Sequence, residues 1–235
     1  VCKHGNRKAS STSGSFDLLE ELGVAIDLGA DQVAQCVHEV GVGFAFARTF
    51  HPAMRFAGPV RAELGIPTVF NILGPLSHPG LLTRQVVGVP DVDTGHRMAE
   101  VLQATGSQLA MVVTGAGGLD ELSITGPNTI HTVTARAVET TELTPEDVGI
   151  EPADPDDLLG GDAAANAEIA RQVLGGVQGP KRDIIVLNAA AGLFVAGVAE
   201  DLVDGVERAR AAIDAGAATD RLERLIQLTR ELTSP

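Results

Sequence analysis

Apolar and polar positions alternate along the chain with two different periods. Residues 16–22 (FDLLEEL) and 31–40 (DQVAQCVHEV) repeat apolar side chains every three to four positions and predict helices. The runs 42–47 (VGFAFA), 86–89 (VVGV) and 108–113 (QLAMVV) are short and continuously apolar, and predict buried strands. Helical spacing returns at 52–64, where Pro52 suits a first turn, and at 94–105. Segments 129–134 and 138–143 carry β-branched residues and predict paired strands or an edge hairpin. Helical stretches at about 163–174, 182–198, 203–215 and 219–232 close the chain. Such alternation predicts an α/β fold, a mostly parallel central sheet flanked by helices. The stretch 144–162 is rich in Pro, Asp and Gly but is followed by further apolar helices, so it reads as a surface connection rather than a boundary. Residues 1–235 therefore read as one α/β domain.

Composition narrows the function classes. Hydrophobic residues make up 44% of the chain and aromatic ones 3%, with no Trp or Tyr, so Ala, Val, Leu and 27 Gly must fill the core. Few rings remain to stack on bases, and a net charge of −14 leaves no general basic surface to displace counterions from a duplex. No nucleic acid is therefore expected as a partner. The two cysteines, Cys2 and Cys36, form neither a disulfide framework nor metal-ligand spacing, which makes a reducing cytoplasm the default. No apolar run approaches the roughly 18 residues of a membrane span, and no membrane partner is expected. The chain opens without Met on a polar, motif-like stretch and reads as truncated or processed.

Against the acidic background, Lys3, Arg7 and Lys8 place three positive charges within six residues, and residues 10–15 add four Ser and one Thr. Cations, hydroxyls, backbone N–H groups near Gly14 and the start of a helix can together cradle a phosphate. A solvated terminus followed by an ordinary helix cap fits the same residues. Asp120-Glu121 follows a strand and the Gly-rich turn 115–118, where α/β sheets place ligands. The pair could hold Mg²⁺, which takes one or two carboxylates with water and phosphates, or could face a helix dipole. His51 opens the predicted 52–64 helix and Arg61 lies ten residues on along it, so the two fall near one face. A guanidinium there can bind a carboxylate bidentately or simply be solvated. Asn71 could fasten the turn signalled by Gly74-Pro75.

Five blocks then appear in order. KHGNR at 3–7 leads through a Ser-rich segment to GSFDLLEELG, followed by FHPAMRFAGPVRAELG at 50–65, TVFNILGPL at 68–76, GLDEL at 118–122 and GPKRDIIVLNAAAG at 179–192. Together they resemble the anthranilate phosphoribosyltransferases of tryptophan biosynthesis along most of the chain. The resemblance implies an α/β domain like that of nucleoside phosphorylases and phosphoribosyltransferases, and a Mg²⁺-dependent, cytoplasmic, homodimeric enzyme. Its implied reaction joins anthranilate to phosphoribosyl pyrophosphate. Lys3, His4, Gly5, Asn6, Arg7, Lys8, Ala9, Ser10, Ser11 and Ser15 would then hold phosphoribosyl pyrophosphate. Asn6, His51 and Arg61 would hold anthranilate, and Asp120 and Glu121 the metal. His4 is a candidate proton acceptor, and no catalytic group is assigned. The blocks at 68–79 and 179–192 read as structural, with Asn188 supporting the site indirectly.

Two features depart from the family pattern. Ala47-Arg48 stands where Ala-Pro is common, which predicts a looser, more charged loop. The GTGGD and N-x-S-T segments that precede KHGN in the family are not found, and Gly160-Gly161-Asp162 does not replace them. The resemblance therefore implies that the N-terminal helical domain is largely absent and that the chain alone is inactive. A nucleoside phosphorylase of the same fold and a non-catalytic fragment are the competing readings.

Overall fold

The computed structural model describes residues 1–7, 13–66 and 68–234. They form two compact units interleaved along the chain, residues 1–80, 160–174 and 216–235 in unit 1, residues 81–159 and 175–215 in unit 2. The passage at 159–160 lies inside the stretch expected to be a mere surface connection. Apolar helices follow it because the chain returns to unit 1.

Unit 1 holds a parallel strand pair, β1 (Cys2–Gly5) and β2 (Gly43–Phe46), with His4 opposite Ala45 and Gly5 opposite Phe46. Its helices are α1 (Ser15–Leu22), α2 (Ala30–Glu39), α3 (Ala47–Phe50), α4 (Met54–Leu64), α5 (Phe70–Leu76), α7 (Ala163–Leu174) and α10 (Ala217–Thr233). Phe16, Leu19, Val33, Cys36, Phe46 and Leu225 meet in its core, so the helical spacing of α1 and α2 points inward as the pattern predicts. The last helix is fastened by its own polar residue: buried Thr229 accepts the Ala25 N–H at 3.1 Å. Gly160-Gly161-Asp162 serves as the start of α7. Asp162 caps the Ala165 N–H at 2.9 Å, and the Asn166 amide clasps Gly161 through both its N–H (2.8 Å) and carbonyl (3.1 Å).

Unit 2 holds a four-stranded sheet in the order β3 (Arg84–Gly88), β4 (Leu109–Thr114), β5 (Asn128–Thr134), β6 (Val138–Leu143). The strands joined by helix α6 (Val92–Ala104) pair in parallel, and the β5–β6 hairpin adds antiparallel pairing on both sides of β5. The α/β class holds. Parallel pairing is confined to the helix-connected strands, and the hairpin is the edge feature expected from its sequence. Exposed Glu139 to Glu142 on β6 keep that edge polar. Ala110 through Thr114 of β4 are all buried, and α6 and α8 (Pro180–Ala196) both pack against this strand. Helix α9 (Leu202–Asp214) packs on α8. Buried Arg182 on α8 is neutralised by Asp214 on α9 at 2.8 Å.

Three local expectations are corrected. Residues 2–5 are strand rather than loop, because pairing with β2 supplies the hydrogen bonds that a short charged sequence does not advertise. Residues 47–50 form a helical turn closed by the His51 N–H to the Ala47 carbonyl at 2.8 Å, not a loose loop. Gly74-Pro75 lies in the last turn of α5, and Asn71 fastens the other end, accepting the Thr68 N–H at 3.0 Å. No helix among the described residues is long and apolar enough to cross a membrane.

A Cβ on Gly205 would stand 2.9 Å from the backbone of Ala190, so the α8–α9 contact depends on having none. Gly205→Leu is expected to lower stability by a net of about 1–2 kcal/mol, because overpacking outweighs the propensity gained on leaving glycine. Urea unfolding checks this; an unchanged midpoint would show that the two helices part freely.

Candidate active site

In unit 1, β1 delivers Lys3, His4 and Gly5 to the start of α1. A Cβ on Gly5 would lie 2.9 Å from the Phe16 ring and 3.5 Å from Ser15 Oγ, so glycine lets the strand end pass directly against the first turn of the helix. Lys3 and Asn6 are exposed there, with Asn6 Oδ1 accepting the Arg7 N–H at 2.9 Å. Arg7 differs from expectation in that its fork is engaged. Glu20 takes Nε at 2.8 Å and Nη2 at 2.7 Å, and the guanidinium stacks 4.8 Å over Phe46. The Glu20 carboxyl is accordingly held below its ordinary range. One helix-start donor is engaged too, since the Gly14 N–H bonds to Asp17 at 2.8 Å. Among the described residues, Lys3 is thus the cation of this segment that makes no ion pair. Lys8, Ala9, Ser10 and Ser11 lie outside the described residues.

Three imidazoles gather behind this strand. His4 Nε2 and His51 Nε2 are 3.1 Å apart, and the His4 ring meets those of His51 and His78 edge-on at 4.8 and 5.6 Å. His78 accepts the Gly80 N–H at Nδ1, so its Nε2 carries the proton and donates to the Cys2 carbonyl at 3.2 Å. That arrangement makes His78 a neutral brace for β1. Partial burial, reinforced by its two neighbours, pushes His4 down to about 4 despite a bond to the Gly74 carbonyl. His4 is therefore neutral at pH 7 and can accept a proton only from a stronger acid than an ordinary imidazolium. Sequence spacing does not reveal His78, because strand and turn bring it to His4 from 74 positions away.

His51 and Arg61 do not share a helix. His51 ends α3 with φ −124° and ψ 64°, and α4 starts only at Met54. His51 instead joins His4, while Arg61 turns to α5, where its Nη2 donates to Asn71 Oδ1 at 3.3 Å and its guanidinium stands 5.5 Å from the Phe70 ring centre. Those contacts fix the plane of the fork and leave further N–H donors for a ligand carboxylate.

In unit 2, β4 ends at Thr114 and the chain turns through Ala116–Gly118 into Asp120-Glu121. Both acidic residues are exposed. Their backbone is tightly seated: a Cβ on Gly88, at the end of β3, would collide with the Asp120 carbonyl, and one on Gly115 with the Glu121 carbonyl. Buried Leu122 follows, its N–H donating to Asn188 Oδ1 at 2.9 Å and its carbonyl accepting from Asn188 Nδ2 at 2.7 Å. Asn128 repeats the clasp on Ser123, at 2.6 and 3.0 Å. Among the described residues no group of three or more His, Cys, Asp or Glu gathers as a metal cluster. Two carboxylates on a seated backbone fit Mg²⁺, which draws its other ligands from water and phosphate. They would not suit Ca²⁺ or Zn²⁺, which need more protein donors.

The glycosyl transferase family, a/b domain, matches residues 1–219. The anthranilate phosphoribosyltransferase of Rubrobacter xylanophilus is 49% identical over 233 residues, 99% of this chain and 68% of that protein. The crystal structure of anthranilate phosphoribosyltransferase from Thermus thermophilus superposes with a TM-score of 0.92 at 44% identity, covering 97% of this chain and 68% of that one. The Saccharomyces cerevisiae enzyme in complex with PRPP and Mg gives 0.88 at 29% identity, covering 98% and 65%.

The lowered His4 carries a stability signature. The unfolded chain protonates this histidine near 6.5 and the folded one only near 4, so between these values the unfolded state binds more protons. Stability is full above about pH 6.5 and falls as the pH drops toward 4. His78, also lowered by burial, acts in the same direction. A His4→Asn/His78→Asn variant should lose less stability than the parent between pH 7 and pH 5 in urea titrations. Parallel losses would contradict the burial of neutral imidazoles.

Proposed function

The chain belongs to the anthranilate phosphoribosyltransferase family, glycosyltransferases of tryptophan biosynthesis, and we propose how its residues divide the work of that reaction. The reaction moves the 5-phosphoribosyl group from phosphoribosyl pyrophosphate to the amine of anthranilate, giving N-(5-phosphoribosyl)anthranilate and pyrophosphate. The observation that carries the residue assignment is the close passage of Gly5 against Phe16 and Ser15. It sets the Gly5 end of β1 against the Ser15 hydroxyl, and with Lys3 two residues back on the same strand this supports a reading as a site for a sugar phosphate, which needs a cation and fixed hydrogen-bond donors. Lys8, Ala9, Ser10 and Ser11 belong to the same proposed segment. Arg7, engaged by Glu20, serves here mainly to hold that segment on α1.

Asp120 and Glu121 are assigned to Mg²⁺. When bound, the ion supplies positive charge that offsets the charge developing on departing pyrophosphate. The reaction breaks the anomeric C–O bond and forms a C–N bond. Its demands are stabilisation of the leaving group and alignment of the amine rather than deprotonation of an already neutral aniline-type nitrogen. His4, neutral at pH 7, fits that requirement: it can accept the amine proton after attack, through or beside His51, and adds no charge near the sugar.

Asn6, His51 and Arg61 are assigned to anthranilate, with Arg61 paired to its carboxylate. We further place the enzyme in the cytoplasm as a homodimer, with residues 1–235 acting as one catalytic domain. The free thiols of Cys2 and Cys36 suit that compartment, and the family match runs through both units. The exposed apolar side chains of Phe56, Val60 and Leu64 on α4 support a covered surface in the assembled enzyme.

Arg61→Ala in a complete enzyme is the sharpest test. Loss of a charge-assisted hydrogen bond costs about 1.5–3 kcal/mol, so KM for anthranilate should rise by roughly one to two orders of magnitude. KM for phosphoribosyl pyrophosphate should barely move. Equal effects on both substrates would overturn the assignment.

A further inference from the structure

We infer that Asn188 is a positioning residue for the acidic pair: its amide fixes the Leu122 backbone and so sets how Asp120 and Glu121 present their carboxylates. The inference rests on the proposed metal role of that pair.

Asn188 is half-buried on α8, with Leu187, Ala190 and Ala191 buried beside it on the same helix. An amide drawn partly out of water is unfavourable unless the protein replaces the hydrogen bonds it loses. Here they are replaced in one specific way. Oδ1 accepts the Leu122 N–H at 2.9 Å; Nδ2 donates to the Leu122 carbonyl at 2.7 Å and to the Ile184 carbonyl, one turn back on its own helix, at 2.9 Å. The side chain thus imitates a neighbouring β-strand for a single residue. Leu122 is completely buried while the two residues before it are exposed, so the clasp marks where the chain passes from the core to the solvent-facing carboxylates. Gly88 and Gly115 receive the backbone of Asp120 and Glu121 on one side, and Asn188 grips the next residue on the other. Neither aspartate nor leucine can substitute. A carboxylate would turn an oxygen without a proton toward two carbonyls, and leucine would leave the Leu122 N–H and carbonyl buried without partners.

The test compares Asn188→Ala and Asn188→Gln with Asn166→Ala, which removes a clasp of the same geometry from Gly161 in the other unit. Mn²⁺ binding in the presence of phosphoribosyl pyrophosphate is measured by electron paramagnetic resonance on the full protein, alongside thermal midpoints and anthranilate KM. Both Asn188 variants should weaken Mn²⁺ binding by about tenfold or more, the usual effect of removing a residue that orients a metal ligand, whereas Asn166→Ala should change it by less than about twofold at a comparable loss of midpoint. Anthranilate KM should stay near its original value in all three. Asn188→Gln keeps the amide and moves it by one methylene, so it carries the test if the alanine variant does not fold. Folded Asn188 variants with unchanged Mn²⁺ affinity would overturn the inference. Asp120→Asn with Glu121→Gln separates the two layers. If that double variant weakens Mn²⁺ binding and the Asn188 variants do not, only the positioning role falls. If it leaves Mn²⁺ binding intact, the metal reading falls and the inference with it.

Discussion

The organisation of unit 2 turns on a steric fact: the backbone of Asp120 and Glu121 occupies the space where side chains at Gly88 and Gly115 would be. Only glycine at the ends of β3 and β4 lets a turn lie so flat on the strand termini. The consequence runs outward in both directions. Toward the core, Leu122 and Ile124 drop into full burial, and the polar backbone carried in with them requires partners, which Asn188 and Asn128 supply. Toward solvent, two adjacent carboxylates stand on a backbone with little freedom to retreat. The small residues of α8 and the missing side chain of Gly205 belong to the same economy of space, since they let the helix bearing Asn188 sit close under α9.

Unit 1 solves a different problem. The anion site proposed for it, in a chain of net charge −14, needs local positive potential without buried charge. Part of the binding capacity of its basic segment is engaged internally, with Arg7 paired to Glu20 and the Gly14 N–H taken by Asp17. Among the described residues, Lys3, the Ser15 hydroxyl and the backbone remain, beside His4 and His78, which burial keeps uncharged. Neutral imidazoles can brace the strand through hydrogen bonds without adding to the cost of bringing a sugar phosphate out of water.

Periodicity made the α/β class, the positions of α1, α2 and α6 to α10, and the polar edge hairpin legible in the sequence, because these elements are long or strongly patterned. The strand at 2–5 was not legible, since a charged four-residue segment owes its conformation to pairing with β2. The same limit separated His51 from Arg61. A ten-residue interval looked like three helical turns, but the break at Pro52-Ala53 sends the two side chains to different neighbours. The acidic pair was visible as a motif. Asn188 was legible as an indirect support, but the seating itself was not, because Gly88 and Asn188 reach residues 120–122 only on folding.

The central claim, that the carboxylates are presented from a backbone clasped in the core, is tested most directly by residue-resolved amide hydrogen exchange. The Leu122 N–H bonds to a side chain, within a turn rather than a regular ladder. It is expected to exchange as slowly as the Val112 N–H in the middle of β4, by the same large-scale opening. Exchange as fast as that of exposed Gly117 would show that the turn opens locally, and that the acidic pair is not held as described.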